Sequence, residues 1–142
     1  PARIVRTVDS IVAPLPPAFG ASRHVARVVL TAMRFNPEIR SCCNIRFDRE
    51  ILSLVEKAGL KAFGFSRKEE PKGIKEKEGA SLEWGTKEVF KSAGREVDAI
   101  YDEGDIGKEP MIRVLGKDPS DVVGKIRKIL FQWEAWSESK LS

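Results

Sequence analysis

The amino-acid sequence predicts an α/β fold, and two patterns along the chain carry that prediction. Short runs rich in β-branched residues alternate with segments whose apolar residues recur at helical spacing. The composition, 42% hydrophobic and 32% charged over 142 residues, is that of one folded domain rather than a disordered chain. We therefore expect residues 1–142 to form one domain, and the start at Pro1 suggests the C-terminal part of a longer protein.

The first predicted elements are one or two strands within 3–13, RIVRTVDSIVA, where apolar and polar residues alternate. Ser22 is a suitable N-cap for a helix that Pro37 stops. We expect one face of this helix to pack on the core, and it carries Val25, Val28, Val29, Ala32 and Met33.

The next segment predicts a strand, a helix and a second strand. Residues 39–47, IRSCCNIRF, have the pattern of a buried strand, and Asp48 then caps a helix that Gly59 ends. A short strand follows at 60–65. Residues 66–78 carry many charges, a proline and a glycine but no apolar period, so we expect a solvated loop or a loose helix without core residues.

The last third of the chain predicts two strands between two helices. Thr86 is placed to cap a short helix that ends at Gly94, and strands follow at 97–101 and 111–116. Asp118 is an N-cap for the final helix, with a proline and an aspartate in its first turn. The expected apolar stripe of that helix comprises Val122, Val123, Ile126, Ile129, Leu130 and Trp133.

Charge and cysteine content argue against several classes of function. Basic residues outnumber acidic ones by only 25 to 21, an excess too small to indicate a nucleic-acid-binding protein, so small anionic ligands are more economical partners. Cys42 and Cys43 are adjacent, which is awkward for a mutual disulfide and fits a reducing cytoplasm. Without a long apolar run or a leader pattern, we expect a cytoplasmic protein with no membrane partner.

A doubled motif stands out at 101–119, where GKEP is followed nine residues later by GKDP. The first copy, with Gly104, Gly107 and Lys108, lacks the spacing of a nucleotide-hydrolysing P-loop. Its glycines let backbone amides face an anion and Lys108 supplies charge, so it is either a phosphate-binding turn or a plain turn with Lys108 in water. In the second copy Asp118 already satisfies the free helix amides, so that copy is predicted to be structural.

Other candidate binding residues lie at a helix start and beside a tryptophan. Ser22, Arg23 and His24 surround a helix N-terminus, which attracts anions, although a lone histidine is as often structural. Trp84 beside Gly85 offers a ring face for a planar heterocycle, although most tryptophans simply pack.

A third group of polar residues surrounds a helix-to-strand connection: Arg34, Asn36, Arg40 and Asn44. The arginines can fork onto phosphate oxygens, whereas the alternative is surface arginines and one buried amide bonded to backbone. The cysteines, histidine and acids form no metal-ligand spacing, and one histidine supports no catalytic relay.

Several strings in order resemble the archaeal ThiN-type thiamine-phosphate synthase domain family, over nearly the whole chain: FGASRHVARVVLTAMR, NPEIRSCCNIRFD, GFSRKEEP, KEGASLEWGT and AIYDEGDIGKEPMIRVLGKDP. The resemblance implies a three-layer α/β/α fold with a mixed sheet, similar to class II aldolases and epimerases and to the phosphomethylpyrimidine kinase C-terminal domain. It also implies a homodimer. Within the matched strings, Arg67, Asp102 and Glu109 join the candidate ligand-binding residues.

The family's enzymes join hydroxymethylpyrimidine diphosphate to hydroxyethylthiazole phosphate, and other members follow a DNA-binding module in regulators that sense thiamine phosphates. Enzymatic members depend on an arginine and a histidine near two stretches that here read Gly79-Ala80-Ser81 and Ile100-Tyr101-Asp102-Glu103. Neither stretch contains an arginine or a histidine, so the resemblance favours a sensor of thiamine phosphate or diphosphate over an active synthase. Such a sensor would touch DNA only through another module. A diphosphate ligand could bring Mg²⁺ with it.

Overall fold

The computed structural model describes residues 4–13, 15–75 and 80–141. The strands are β1 (Val5–Arg6), β2 (Ile11–Val12), β3 (Ser41–Arg46), β4 (Ala62–Gly64), β5 (Ala99–Asp102) and β6 (Met111–Gly116). The helices are α1 (Arg23–Ala32), α2 (Arg49–Lys57), α3 (Lys72–Lys75), α4 (Ala80–Ala93) and α5 (Pro119–Leu141). In the described part of the chain no helix is long and apolar enough to cross a membrane.

The central sheet has four strands in the order β3-β6-β5-β4. β4 and β5 are parallel, while β6 pairs antiparallel with both β5 and β3. The sheet is therefore mixed, as the resemblance implied. The parallel pair places the carboxyl ends of β4 and β5 at the same edge.

Helices cover both faces of this sheet, which confirms the three-layer α/β/α fold. α1 and α4 pack on one face, and α2 and α5 pack on the other. Neighbouring residues of one strand enter opposite cores, because side chains alternate across a strand. Ile100 and Leu115 lie in the core under α1 and α4, whereas Ala99 and Val114 lie in the core under α2 and α5.

Two helix starts form as the sequence predicts. The Asp48 carboxylate accepts a hydrogen bond from the Ile51 amide at 2.7 Å and caps α2. At α5, Asp118 accepts from the Asp121 amide at 2.8 Å, and Asp121 accepts from the Lys117 amide at 3.0 Å. This reciprocal pair satisfies amides that a helix start leaves free, so GKDP is a structural cap.

Three predictions about individual elements are wrong. Thr86 lies buried inside α4 rather than at its start. The helix already begins at Ala80, because its first turn packs Leu82 into the core. β3 is an edge strand rather than a buried one, and Asn44 on it is exposed. The apolar stripe of α5 is narrower than predicted, since Val122, Ile126 and Ile129 pack inward. Exposed residues of the predicted stripe are Val123, Leu130 and Trp133.

The charged segment 66–78 also differs from its prediction as far as the structure describes it, residues 76–79 lying outside the described part. A short 3₁₀ turn at Arg67–Glu69 is capped by Ser66 and leads into α3. Arg67 and Glu70 are buried, although the sequence around them has no apolar periodicity that would predict their burial.

The N-terminal residues form a separate antiparallel hairpin in which β1 pairs only with β2 among the described strands. One or two strands were predicted within 3–13, and the structure has two. Large apolar side chains of this hairpin and of the segment leading to α1 are exposed: Ile4, Val8, Ile11, Leu15 and Phe19.

Candidate functional site

A cleft of about 730 Å³ opens at the edge of the sheet where β4 and β5 end. We call it the aromatic cleft, and its lining comprises Gly64, Phe65, Ser66, Arg67, Lys68, Glu69, Trp84, Glu88, Val89, Ser92, Tyr101, Glu103 and Gly104. Ligands of α/β proteins bind preferentially at the carboxyl ends of parallel strands, and this volume suits a molecule of two rings. The aromatic cleft is therefore the candidate site.

Three aromatic side chains form its walls. Phe65 follows β4, and its ring meets the Trp84 ring of α4 edge to face, with centroids 6.1 Å apart. Tyr101 belongs to β5, and its ring stacks on Phe47, with centroids 5.7 Å apart, beside the core under α2 and α5. These contacts fix the rings, so they present preformed surfaces to a planar ligand.

Two glycines allow the rings to sit so close to the backbone. A Cβ atom at Gly85 of α4 would lie 2.4 Å from the Phe65 ring, and one at Gly64 would lie 2.6 Å from the Tyr101 ring. Neither distance is possible without displacing an aromatic side chain. The sequence singled out Gly85 as a neighbour of Trp84, but its role in the structure is to make room for Phe65.

Behind this wall lies a buried ion cluster. The Asp102 carboxylate, fully buried at the end of β5, accepts from Arg67 Nε at 2.5 Å and from Arg113 Nη1 at 2.7 Å. It also accepts from the Gly104 amide at 3.0 Å. Both arginines are buried too, so the carboxylate offsets guanidinium charges that would otherwise lie uncompensated in the protein interior.

The GKEP loop forms a tight hairpin turn between β5 and β6. Asp105 and Lys108 exchange both backbone hydrogen bonds, at 3.1 and 2.8 Å, and Gly104 and Gly107 adopt positive φ of 80° and 72°. Lys108 Nζ reaches back to α4 and donates to Ser81 Oγ at 3.1 Å. Among residues 4–13, 15–75 and 80–141 no carboxylate pairs with Lys108, so its ammonium group can attract an anion near the first turn of α4.

The other predicted residues do not line the aromatic cleft. Arg34 pairs with Glu83 at 3.4 Å on the surface. Asn36 donates to the Arg95 carbonyl at 3.2 Å and accepts from the Glu38 amide at 3.1 Å. Exposed residues that are not part of the described lining are Ser22, Arg23, His24, Arg40, Asn44 and Glu109.

Ser22 occupies the N-cap position of α1, but its side chain makes no capping hydrogen bond. Arg40 donates its backbone amide to Gly116 at 2.9 Å and so extends the pairing of β3 with β6. Ligand roles for these residues stay predictions.

Several lining residues were missed by sequence reasoning. Phe65 and Tyr101 were assigned to strands without a role in binding. The available signals were Gly64 directly before Phe65 and Gly104 three residues after Tyr101. Glu88 lies four residues after Trp84, a spacing that places both on one side of α4. Arg113, an arginine inside the apolar run MIRVLG, was the available signal for a buried ion partner.

Two further features bear on the chemistry of the chain, the protonation of the Cys42 thiol and the grouping of possible metal ligands. Burial raises the pKa of the Cys42 thiol to about 12, although Arg113 acts in the opposite direction, so Cys42 remains a thiol at neutral pH. In the described residues no three or more His, Cys, Asp or Glu side chains are grouped to hold a metal ion.

A smaller cleft of about 290 Å³ lies at the opposite edge of the sheet, where β5 begins and β6 ends. Lys125 Nζ there donates to the Leu115 carbonyl and pairs with Asp98, both at 2.8 Å. Lys61 pairs with Glu96 on the same rim. Because this cleft is smaller and has no aromatic side chain among its described lining residues, it is a poorer candidate for a planar ligand than the aromatic cleft.

Comparison with known proteins adds family evidence to this geometry. The family model described as thiamine-phosphate synthase ThiN matches residues 1–128. The thiamine-phosphate synthase ThiN of Methanothermobacter thermautotrophicus is 36% identical over 135 residues, which cover 95% of this chain and 71% of that protein.

The bifunctional thiamine biosynthesis protein ThiDN of Methanocaldococcus jannaschii is 47% identical over 111 residues. The match covers 78% of this chain but only 25% of ThiDN, so the chain spans about a quarter of that relative. Among solved structures, the C-terminal domain of a phosphomethylpyrimidine kinase superimposes with a TM-score of 0.83 at 46% identity. That match covers 89% of this chain and 71% of the kinase domain's chain.

Proposed function

Because the chain belongs to the ThiN thiamine-phosphate synthase family, we propose that it binds thiamine phosphate or thiamine diphosphate in the aromatic cleft as a ligand-sensing domain. The single observation that carries the ligand class is the pairing of aromatic walls with a nearby cationic turn. Phe65, Trp84 and Tyr101 suit the two heterocyclic rings of thiamine. Lys108 and the turn at Gly104 and Gly107 suit its phosphate.

The state of Asp102 supports sensing over catalysis. Its carboxylate stands in the stretch where the resemblance expects a histidine, and both its oxygens already accept hydrogen bonds from Arg67, Arg113 and Gly104. Arg67 donates twice, so four hydrogen bonds occupy the four lone-pair positions of this buried carboxylate and leave none for a substrate. The cluster also directs two buried guanidinium groups toward Asp102 rather than toward the position of a departing diphosphate.

Calorimetry and a turnover assay together test this proposal. Thiamine phosphate and thiamine diphosphate are titrated into the protein, and hydroxymethylpyrimidine diphosphate plus hydroxyethylthiazole phosphate are then incubated with it and Mg²⁺. We expect saturable binding and no thiamine phosphate formed above the protein-free rate. Turnover would contradict the sensing role, and absence of binding would contradict the ligand assignment.

The alternative function is an active thiamine-phosphate synthase, favoured by the names of the two relatives, one 47% and one 36% identical to this chain. In that case the thiazole nitrogen would attack the pyrimidine methylene carbon, and diphosphate would leave with the electron pair. The same turnover assay decides between the two functions. In the sensing case the chain would regulate transcription through a DNA-binding module elsewhere in the full-length protein.

We also propose that the chain forms a homodimer through its N-terminal hairpin. A hairpin of two strands is marginal alone in water, and here its apolar side chains Val8, Ile11 and Phe19 are exposed. The match to the family model includes the hairpin and the segment leading to α1. Light scattering should give twice the mass of the chain, and Ile11→Asp together with Phe19→Asp should give a folded monomer; an unchanged mass would contradict the arm's role.

A further inference from the structure

We propose that the aromatic cleft recognises the positive charge of the thiazolium ring, and so selects joined thiamine phosphate over its uncharged thiazole precursor. This inference rests on the proposed function, because it concerns which part of that ligand the cleft binds. It goes further by assigning the ligand's cationic centre to the aromatic walls and to Glu88.

The charges of the lining allow a cation to bind. Three acids, Glu69, Glu88 and Glu103, line the cleft against two bases, Arg67 and Lys68. Both Arg67 and the buried Arg113 pair with Asp102, whereas Glu103 pairs with Arg49 and Glu88 with Lys91. The lining residues themselves therefore carry no excess of positive charge that would repel a cationic ring, and the phosphate is left to Lys108 in the turn that begins at Gly104.

The aromatic walls act in the same direction. The faces of Trp84, Phe65 and Tyr101 carry negative electrostatic potential, which attracts cations over the ring. One such contact already exists, since the Arg67 guanidinium carbon lies 5.8 Å from the centroid of the Phe65 ring. Trp84 and Phe65 meet edge to face, so the ring that presents its edge does not have its own faces covered by the other ring, and a second cation can lie on such a face.

Glu88 combines with Trp84 on one side of α4. The two residues are one helical turn apart and both line the cleft. Glu88 pairs with Lys91 at 2.8 Å, but its side chain is 43% exposed, so it can turn toward a ligand at little cost. A ring resting on Trp84 would thus have a carboxylate beside it.

The chemistry of thiamine makes this arrangement selective. The thiazole nitrogen of the precursor is uncharged, and it becomes quaternary when its lone pair forms the bond to the pyrimidine methylene carbon as diphosphate leaves. The permanent positive charge therefore exists only in the joined molecule. A cleft that binds this charge responds to the finished compound and ignores the free thiazole phosphate.

The test compares two ligands that differ only in this charge. Thiamine phosphate and 3-deazathiamine phosphate, in which a neutral thiophene replaces the thiazolium, are titrated into the full chain by calorimetry. We expect the neutral analogue to bind about tenfold more weakly, the effect of a cation–π contact aided by a carboxylate. Equal affinities would overturn the inference while leaving the proposed function intact, whereas failure of both ligands to bind would overturn the proposed function.

Substitutions of Glu88 and Trp84 test whether these residues cause the difference in affinity between the two ligands. Glu88→Gln and Trp84→Leu should each weaken thiamine phosphate more than the neutral analogue, so that the ratio of the two affinities falls. Glu56→Gln, on the exposed side of α2, is the matched control and should leave the ratio unchanged. An unchanged ratio in both Glu88→Gln and Trp84→Leu, with the fold verified by circular dichroism, would contradict the assignment.

Discussion

Arg67 and Asp102 form a two-point ion pair inside the protein, with Nε to Oδ1 at 2.5 Å and Nη2 to Oδ2 at 3.3 Å. Their side chains are 6% and 0% exposed. The pair joins the turn after β4 to the end of β5, and so fixes the two backbone segments that form the wall of the aromatic cleft. Its strength therefore controls both stability and the shape of the site.

The first prediction concerns this cluster. Asp102→Asn keeps the size of the side chain but leaves the buried charges of Arg67 and Arg113 uncompensated, so we expect the free energy of unfolding to fall by about 3 kcal/mol. Urea denaturation followed by circular dichroism measures the change. Glu103→Gln, next in sequence, breaks only the exposed pair with Arg49 and should cost less than about 1 kcal/mol. Equal losses in the two variants would contradict the importance of burial.

The second prediction tests how Gly85 shapes the cleft. A methyl group there would meet the Phe65 ring at 2.4 Å, so Gly85→Ala should cost about 1–3 kcal/mol of stability and weaken thiamine phosphate binding through the displaced ring. Gly124→Ala is the matched control, because nothing lies within 4 Å of the new Cβ in α5.

In that control, helix propensity should raise stability by about 0.5–1 kcal/mol. Both variants are compared by thermal denaturation and calorimetry. An unchanged affinity for thiamine phosphate in Gly85→Ala would mean that the Phe65 ring does not contribute to binding.

Local signals account for the parts of the fold that the sequence predicts correctly. Asp48 and Asp118 cap helices through bonds to amides three residues away, so a short window contains both partners. The glycines that end α2 and α4, Gly59 and Gly94, likewise adopt positive φ as single residues. Alternation of such locally marked elements was sufficient to predict an α/β fold.

Long-range partners account for most of what the sequence did not reveal. Arg67 reads as a solvated charge because its carboxylate partner lies 35 residues away on β5. Phe65 becomes part of a site only because α4 crosses it at Gly85. Arg34 and Asn36 likewise have partners far away in sequence, Glu83 and the Arg95 carbonyl, and their predicted ligand roles stay predictions. These partners are too far apart in sequence for a local pattern to predict their contacts.

The third prediction separates two phosphate candidates, Lys108 and Arg40. Lys108→Ala removes an ammonium group held near the cleft by Ser81, so it should weaken thiamine phosphate more than free thiamine. Arg40 lies exposed and outside the lining, and Arg40→Ala should leave both affinities unchanged if the phosphate binds at the cleft. Calorimetry with both ligands gives the ratios. If only Arg40→Ala weakened thiamine phosphate more than free thiamine, the phosphate would bind at the connection before β3 instead.

The last prediction concerns acid stability at the far edge of the sheet. Burial alone would raise the pKa of Asp98, but hydrogen bonds from Lys125 Nζ and from the Lys61 amide outweigh it, so the pKa is lowered on folding. A carboxyl group with a lowered folded pKa contributes stability above its unfolded pKa, and this contribution is lost as the pH falls through the folded value.

The difference in unfolding free energy between wild type and Asp98→Asn should therefore be constant above about pH 5 and shrink below about pH 4. Urea denaturation across this range measures it, and contributions of other acids cancel in the difference. In a Lys125→Met background the dependence should weaken, because the main favourable partner is gone. A difference that grows toward low pH would mean that Asp98 is destabilised by burial rather than stabilised by its partners.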